Sequence, residues 1–361
     1  MAGAVGLNHP LDPLHPPGHA TRRPEPFQPA WWCRNPHLQT LWPVLFRRRL
    51  KPRLCRERLE LPDGDFLDLD WTLNTDGPLV VVLHGLEGSA HSHYARGILD
   101  ALPRHGLRAV LMHFRGCSGE PNRLPRAYHS GETTDLDYLL QVLRQREPDT
   151  ALAAIGYSLG GNVLLKYLGE RRASVPLAAA VAVSVPFLLH ESTARMNRGF
   201  SRLYQWHLLD KLKAGVRRKA RRLPPPLPLH ELERMRSFFD FDDRITAPLH
   251  GFDGAMHYYT RSSSRQYLDR IRIPTLIVHA AYDPFMPPTA VPSASELSAS
   301  VDLDLQAHGG HVGFVAGSLP WRPRYWLDER IPFWLQHRLS SRPPRSAGPG
   351  RPVTVEDQRH E

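Results

Sequence analysis

The chain has 361 residues, of which 41% are hydrophobic and 23% are charged, the ordinary balance of a soluble globular protein. This length allows one large domain with an insertion or two smaller domains, and it is enough to bury a sizeable core. The three cysteines (Cys33, Cys55 and Cys117) are too few and too uneven in number for a disulfide framework. The net charge of +10 leaves contact with nucleic acid or anionic lipid to be weighed.

The two ends of the chain lack the periodicity of regular structure. Residues 1–26 are rich in proline and histidine, which predicts a flexible N-terminal arm, and residues 340–361 are rich in proline and arginine, which predicts a disordered C-terminal tail. The first 30 residues contain no continuous apolar segment of the kind found in secretory signals. We therefore expect a cytoplasmic protein.

From residue 54 onward the chain shows alternating and helical patterns. Two alternating runs, 54–61 and 66–73, flank an Asp-Gly turn and predict a β-hairpin. After Pro78, predicted strands at 79–83 and 108–114 alternate with helical patterns, such as leucines spaced along one helical face. These leucines are Leu136, Leu139, Leu140 and Leu143, and a last helical face holds Leu327, Ile331, Trp334 and Leu335. The alternation predicts a mostly parallel sheet with helices on both faces, built from residues 27–185 and 265–339.

The most informative motif is Gly156-Tyr157-Ser158-Leu159-Gly160. It lies between an apolar run, 151–155, and a helical pattern, 161–168. A G-x-S-x-G sequence at a strand-to-helix turn is typical of the nucleophile elbow of α/β-hydrolases. Small residues two positions before and after the serine let strand and helix pass closely. The motif therefore predicts an α/β-hydrolase fold with Ser158 as the catalytic nucleophile.

Such a nucleophile requires an acid and then a histidine later in the chain. Asp283 follows a β-rich apolar run at 274–280, and an alternating run at 301–305 leads into a loop with two histidines. We favour His311 of this loop as the general base because two glycines free the backbone ahead of it, and His308 is the competing candidate.

The longest apolar run, residues 176–189, is too short to span a bilayer and is better interpreted as a buried strand.

An oxyanion hole needs two N–H donors. The backbone N–H of Leu159, directly after the nucleophile, is the first candidate, and that of Leu86, in the loop after an early strand, is the second. His84 in the same loop is expected to be structural. The spacing of His84, His91 and His93 matches no compact metal-ligand signature, so we expect no metal and no cofactor.

Residues 186–264 interrupt the alternation where α/β-hydrolases commonly carry a lid, and we expect a mainly helical lid insertion there. Its basic run, residues 211–222, holds seven Lys or Arg and no acid. This run is either a solvated face or a site of transient contact with an anionic membrane surface. Aromatic residues of the insertion are candidates for the wall of an acyl-binding pocket: Phe200, Tyr204, Trp206, Phe238, Phe239, Tyr258 and Tyr259.

Six segments resemble the YheT-like branch of the α/β-hydrolase superfamily, often called α/β-hydrolase family 4. The resemblance runs from about residue 27 to about residue 339 and implies a triad of Ser158, Asp283 and His311. It also implies hydrolysis of a carboxylic ester but does not fix the substrate. The branch includes monoacylglycerol and phospholipid esterases, and we expect short- to medium-chain acyl or monoacylglycerol-like esters. The segments are Asn35-Pro36-His37-Leu38-Gln39-Thr40, His84-Gly85-Leu86-Glu87-Gly88-Ser89, Phe114-Arg115-Gly116-Cys117-Ser118-Gly119, Gly156-Tyr157-Ser158-Leu159-Gly160-Gly161-Asn162, Asp283-Pro284-Phe285 and Gly309-Gly310-His311-Val312-Gly313-Phe314.

Other functions fit parts of the sequence. A thioesterase, amidase or acyltransferase forms the same acyl-enzyme, and sequence alone does not separate water from another acceptor. Only the basic charge favours a nucleic-acid binder, since no reading motif is present, and we expect no nucleic-acid partner. A non-catalytic or lipid-binding module is disfavoured because all three triad residues are retained. The expected partner is a small-molecule ester, and the oligomeric state is left open.

Overall fold

The computed structural model describes residues 25–47 and 50–340. The predicted arm (1–26) and tail (340–361) therefore lie almost entirely outside the described residues. The strands are β1 (Leu54–Glu60), β2 (Phe66–Thr72), β3 (Leu79–Leu83), β4 (Arg108–Met112), β5 (Leu152–Tyr157), β6 (Ala179–Val183), β7 (Thr275–Ala280), β8 (Val301–Gln306), β9 (Val315–Ala316) and β10 (Arg324–Tyr325).

In the described part of the chain, eight of these strands form one sheet in the order β1-β2-β4-β3-β5-β6-β7-β8. Strand β2 is antiparallel to both of its neighbours, whereas all pairs from β4 to β8 are parallel. The predicted mostly parallel sheet is thus confirmed. Because β3, β5, β7 and β8 run in the same direction, the loops after them meet at one edge of the sheet, where ligands bind in such folds.

Helices cover both faces of the sheet because side chains alternate along each strand. In β3, Val81 and Leu83 belong to a core shared with two helices, α3 (Thr134–Arg146) and α4 (Leu159–Arg171). Val80 and Val82 belong to the opposite core, which includes residues of α2 (His93–Arg104) and of a C-terminal helix, Leu327–Ser340. The leucines whose spacing predicted a helix are buried in the first core.

Between β6 and β7 the chain forms a helical segment, which we call the insertion (residues 186–264). A core of Leu209, Leu232, Met235, Phe241 and Ile245 gives this segment packing of its own. Its elements are α5 (Leu189–Met196), α6 (Ser201–Lys219), α7 (Leu229–Arg234), α8 (Phe238–Phe241), a π-helical turn (Asp242–Thr246), α9 (Ala247–Leu249) and α10 (Ala255–Ser262). The remaining helices are α1 (Pro36–Phe46) before the sheet, α11 (Leu327–Ser340) after it, and short 3-10 segments at Arg172–Ser174, Ser264–Arg270, Pro288–Ala290 and Ala294–Glu296.

Two strands are shorter than the sequence predicted. The apolar run at 176–189 contributes only β6, because the backbone turns at Ser184, whose φ is +51°. The run at 108–114 ends as a strand at Met112, and the N–H of Phe114 donates to His84 instead of to the sheet. Among the residues that the structure describes, no helix combines the length and apolar character needed to cross a membrane.

Candidate active site

Ser158 lies on a sharp turn between β5 and α4. Its φ of +52° falls in the left-handed region that non-glycine residues rarely adopt, and its N–H donates to the carbonyl of Val183 at 2.8 Å. The turn is possible because flanking residues are glycines. A Cβ on Gly160 would lie 2.5 Å from the carbonyl oxygen of His84, and one on Gly156 would lie 2.4 Å from that of Gly160. The close passage of strand and helix that the motif predicted is therefore present.

The structure brings Ser158, His311 and Asp283 into one chain of hydrogen bonds. The Ser158 hydroxyl lies 2.9 Å from Nε2 of His311, and Nδ1 of His311 lies 3.0 Å from Oδ2 of Asp283. The Asp283 side chain is only 1% exposed. Since a carboxylate only accepts hydrogen bonds, Nδ1 carries the proton, and Nε2 is left to accept the serine proton. The competing candidate, His308, lies on the exposed surface.

Two backbone hydrogen bonds and one ring contact position His311. Its backbone N–H donates to the hydroxyl of Thr40 in α1 at 2.9 Å, and the next N–H donates to the hydroxyl of Ser184 at 3.0 Å. The ring of Phe285 stacks on the imidazole, with centroids 3.8 Å apart and planes 5° apart. Sequence reasoning missed Thr40, Ser184 and Phe285 as positioning residues. Thr40 and Phe285 do belong to segments that carry the family resemblance, which was the available signal.

Two backbone donors border the space in front of Ser158. Within the described residues, neither the N–H of Leu86 nor that of Leu159 has an acceptor. The loop holding Leu86 is fixed from both sides, because the N–H of Gly85 donates to Tyr94 at 2.8 Å and that of Glu87 donates to Tyr128 at 2.9 Å. These flanking contacts leave the N–H of Leu86 as the free donor of the loop, at the position where the second oxyanion donor is expected.

His84 is structural in this arrangement. Its Nδ1 lies 2.7 Å from the carbonyl of Gly85, and its Nε2 accepts the N–H of Phe114 at 3.1 Å. These partners require a neutral ring with the proton on Nδ1. Burial, reinforced by the nearby His113, lowers the pKa of His84 to about 3. The imidazole thus shapes the loop before Leu86 and stays uncharged at physiological pH.

Ser158 and His311 open into a cavity of about 880 Å³ that lies between the sheet edge and the insertion. This volume is near the upper end of ordinary small-molecule sites, about 300–1,000 Å³. Four of the predicted aromatic residues line it, while Phe200, Trp206 and Phe239 are exposed instead. The aromatic side chains that the insertion contributes to the wall are Tyr204, Phe238, Phe241, Tyr258 and Tyr259; the sequence analysis missed Phe241.

Polar side chains join the insertion to the rest of the protein. The amide of Asn162 in α4 donates to the carbonyls of Ser130 and Ser262 and accepts the N–H of Ser264. The ammonium of Lys219, at the end of α6, donates to the carbonyls of Leu124, Pro125 and Arg126 at 2.9, 3.1 and 2.8 Å. These contacts attach both ends of the cavity's helical wall to the core.

Part of the basic run 211–222 is occupied by internal contacts. Lys213 is buried and donates to the carbonyls of Glu233 and Met235, and Arg217 pairs with the carboxylate of Glu233 at 2.6 Å. Lys219 is held by the three carbonyls described above. The run therefore offers fewer free cations to a partner than its sequence indicates.

One cluster in the described residues has the composition of a metal site. Ligand atoms of His129, Glu132 and His250 lie within 4.8 Å of one another. Two of these side chains already have partners in the protein, since Arg126 pairs with Glu132 and the N–H of Gly131 donates to Nδ1 of His129. Burial lowers the pKa of His129, and burial lowers that of His250 to about 4. The neutral rings of His129 and His250 lie 4.4 Å apart and so connect the loop before α3 to the insertion; we call this contact the joint of the insertion.

Comparisons with known proteins agree with this architecture. The α/β-hydrolase fold family model matches residues 78–318. The Escherichia coli (strain K12) protein named "Putative esterase YheT" is 47% identical over 322 residues, covering 88% of this chain and 94% of that protein. The phospholipase ABHD3 of Mus musculus is 28% identical over 312 residues, covering 83% of this chain and 76% of that protein.

Two further matches extend the comparison. The medium-chain fatty acid ethyl ester synthase/esterase 2 of Saccharomyces cerevisiae is 31% identical over 288 residues, covering 73% of this chain and 63% of that protein. The solved structure of the esterase Pf2001 of Pyrococcus furiosus has the same fold, with a TM-score of 0.50 and 16% identity over 90% of this chain and 97% of that one. The chain therefore belongs to the α/β-hydrolase family and, within it, to the YheT-like branch.

Proposed function

We propose that this α/β-hydrolase cleaves carboxylic esters through Ser158, His311 and Asp283. The observation that carries the proposal is the hydrogen-bonded chain of these three side chains at the wall of a large cavity. A hydroxyl alone is a poor nucleophile at neutral pH, and a neighbouring imidazole held by a carboxylate is the arrangement that activates it.

In the acylation step, the Ser158 oxygen attacks the ester carbonyl while Nε2 of His311 takes the hydroxyl proton. Asp283 keeps the proton on Nδ1 and stabilises the imidazolium that forms. The carbonyl oxygen becomes an oxyanion, which the N–H groups of Leu86 and Leu159 stabilise by hydrogen bonds. When the tetrahedral intermediate collapses, the imidazolium returns its proton to the alcohol, which leaves, and the acyl group remains on Ser158.

In the deacylation step, water enters the position that the alcohol has left. His311 takes a proton from this water as it attacks the acyl carbonyl, and the oxyanion forms again at Leu86 and Leu159. Collapse breaks the bond to Ser158, and the proton returns from His311 to the serine oxygen. The products are one alcohol and one carboxylic acid, so one water is consumed per ester.

The cavity favours esters with an apolar acyl chain of short to medium length, or monoacylglycerol-like esters. Apolar and aromatic side chains of the insertion, such as Phe238, Phe241 and Tyr258, line it beyond Ser158. Each methylene transferred from water into such a wall contributes about 0.8 kcal/mol. The names of the relatives, which include esterase and phospholipase, support ester substrates. We further propose that the insertion acts as the lid of this cavity.

The test is labelling by a fluorescent fluorophosphonate, followed by rates on p-nitrophenyl esters and matched thioesters of increasing chain length. We expect the parent protein to be labelled and Ser158→Ala to be unlabelled and inactive on the whole panel. Labelling that persists in Ser158→Ala, or a parent protein inert to both probes, contradicts the proposal. A parent that prefers thioesters to esters at every chain length reassigns the substrate while keeping the nucleophile.

A further inference from the structure

Apolar side chains are exposed on α1 and on the first half of α6. Half of Leu45 is exposed, as are 46% of Leu38, 51% of Leu203 and 65% of Trp206. Large apolar side chains grouped on a surface mark a site of interaction with a protein or a membrane. We call this surface the α1/α6 face and define it by Leu38, Val44, Leu45, Phe200, Leu203 and Trp206.

The two helices that carry this face are neighbours. The His37 ring at the start of α1 lies 4.7 Å from the ring of Phe200, and its Nδ1 lies 3.1 Å from the hydroxyl of Tyr204. Tyr204 in turn packs against Phe285, the residue that stacks on the His311 ring. The first turns of α1 and α6 are therefore in contact, next to the side chain that stacks on His311.

Exposed side chains of both helices line the cavity. Val44 of α1 is 46% exposed and also lines the cavity. On the side of α6, His207 and Lys211 are exposed and line it as well. We take the space between Val44 and His207 as the cavity mouth, through which a molecule would pass between the two helices toward Ser158.

The surroundings of the face are basic. Residues 195–208 contain three Arg and no acid, and Arg34 directly precedes the N-cap of α1. Arg34, Arg198 and Arg202 are exposed, and no carboxylate of the described residues forms a salt bridge with them. An apolar surface with a cationic border has the chemistry of proteins that lie on anionic lipid, where the side chains enter the bilayer and the cations meet the headgroups.

We infer that the α1/α6 face docks onto an anionic lipid surface and holds the cavity mouth against it. The inference rests on the proposed function in one respect, since an apolar ester dissolved in the bilayer then enters without crossing water. The face differs from the basic run 211–222, whose Lys213, Arg217 and Lys219 are engaged internally. A second copy of the chain is the less suitable occupant, because two such faces bring their arginines together and repel.

The test is flotation of the full chain with vesicles of phosphatidylcholine alone or with about one third phosphatidylglycerol. We expect binding to the anionic vesicles and its loss on adding salt. Arg198→Gln and Arg202→Gln should each weaken binding roughly fivefold. Leu203→Glu combined with Trp206→Glu should weaken it about tenfold or more, because two apolar anchors are lost and two negative charges are added.

Matched control variants come from exposed sites elsewhere. Leu73→Glu combined with Leu305→Glu adds the same charge at side chains that are 57% and 46% exposed, and Arg221→Gln removes a cation of the basic run. These controls should bind as the parent does. The inference is wrong if the parent does not bind anionic vesicles, if the controls weaken binding as much as the face variants, or if ultracentrifugation shows a dimer that the face variants dissociate.

The readouts separate this inference from the proposed function. Leu203 and Trp206 do not line the cavity, so the face variants should hydrolyse a soluble acetate ester at the parental rate, which also verifies their folding. Ser158→Ala should bind vesicles as the parent does, because docking needs no chemistry. Vesicle binding by a protein that hydrolyses nothing overturns the proposed function alone, and normal hydrolysis without vesicle binding overturns the docking surface alone.

Discussion

The two walls of the cavity are built in different ways. On the sheet side, Ser158, Asp283 and His311 each follow a strand, and backbone hydrogen bonds and close glycine contacts hold them. On the other side, the insertion has small cores of its own and is joined to the rest of the protein through side chains such as Asn162 and Lys219. The proposed reacting groups thus lie on the wall that main-chain contacts hold, and the side chains proposed to contact a substrate lie on the wall that is joined through side chains.

The difference between the two walls predicts which substitutions should lower the reaction rate and which should change the substrate preference. On the proposed mechanism Ser158, Asp283 and His311 act on the reacting atoms, so the loss of any one should lower the rate for every substrate alike. The insertion side chains are proposed to contact the part of the substrate that does not react, so the loss of one should change the preference among substrates.

The largest expected effect comes from the reacting groups. Ser158→Ala and His311→Ala should each lower kcat roughly 10³-fold or more, and the double variant should be little worse than either, because the groups act as a unit. Steady-state rates on a short and a long p-nitrophenyl ester measure this, and both esters should lose activity to the same extent. His308→Ala is the matched control, and its inactivation in place of His311→Ala would refute the assignment of the base.

The second effect concerns the backbone of the sheet wall. Gly160→Ala should lower the free energy of unfolding by about 3 kcal/mol, because the new Cβ meets the carbonyl oxygens of His84 and Leu83, which belong to a packed backbone. Urea unfolding measures the change. Gly215→Ala in α6 is the control, since its Cβ meets only the flexible Arg218 at 3.9 Å, and it should stabilise the protein by about 0.5–1 kcal/mol. Equal free energies of unfolding for Gly160→Ala and Gly215→Ala would contradict this prediction.

A smaller effect is expected from the insertion wall. Phe241→Ala should lower kcat/KM for long-chain esters about tenfold relative to acetate esters, because an apolar contact with the acyl chain is lost. Phe238→Ala should act in the same direction. The measurement is the ratio of kcat/KM between long and short esters. Phe239→Ala is the control, because this neighbouring ring is 41% exposed and lies outside the cavity; a profile that all three variants leave unchanged would contradict the proposed lid.

The smallest effect is a pH dependence in the joint of the insertion. Burial lowers the pKa of His250 to about 4, although Glu132 opposes the shift, and Arg126, Lys219 and Arg115 reinforce it. Since a histidine in the unfolded chain titrates near 6.5, the unfolded state binds more protons between these values. The stability of the insertion should therefore be complete above about pH 6.5 and decrease as the pH falls toward 4.

Amide hydrogen exchange of α9 and α10 measures this loss, which we expect to be about 1 kcal/mol after screening by solvent. His129 and its neighbour Lys166 contribute from the core side of the joint. His250→Gln should flatten the dependence in the insertion and leave the exchange of β5 and β6 unchanged. An identical pH dependence in the variant would show that other histidines are responsible.

The sequence predicted local geometry well and helix orientation poorly. The turn at Ser158 is encoded within five residues, and the glycines before His311 favour it over His308 as the partner of Ser158, which is the contact that the structure has. Trp206 shows the opposite case, since it was expected at the pocket but is exposed, two positions after Tyr204, which lines the cavity. Which side of α6 faces the cavity depends on tertiary packing, which the periodicity of a short aromatic-rich stretch does not contain.

Long-range contacts were also beyond the reach of sequence spacing. Lys219 looked like part of a solvated basic run, but three carbonyls of the loop at 124–126 surround its ammonium. The hydrogen bond from His311 to Thr40 joins residues 271 positions apart. Neither contact leaves a pattern in the neighbouring residues, so only the folded chain reveals them.

The bond between Thr40 and His311 also bears on when the protein acquires its activity. A chain grows from its N-terminus during synthesis, so α1 and the serine turn emerge long before the base that they serve. Ser158 is synthesised 153 residues before His311. On the proposed mechanism, hydrolysis therefore begins only after the loop that follows β8 has brought His311 to Ser158.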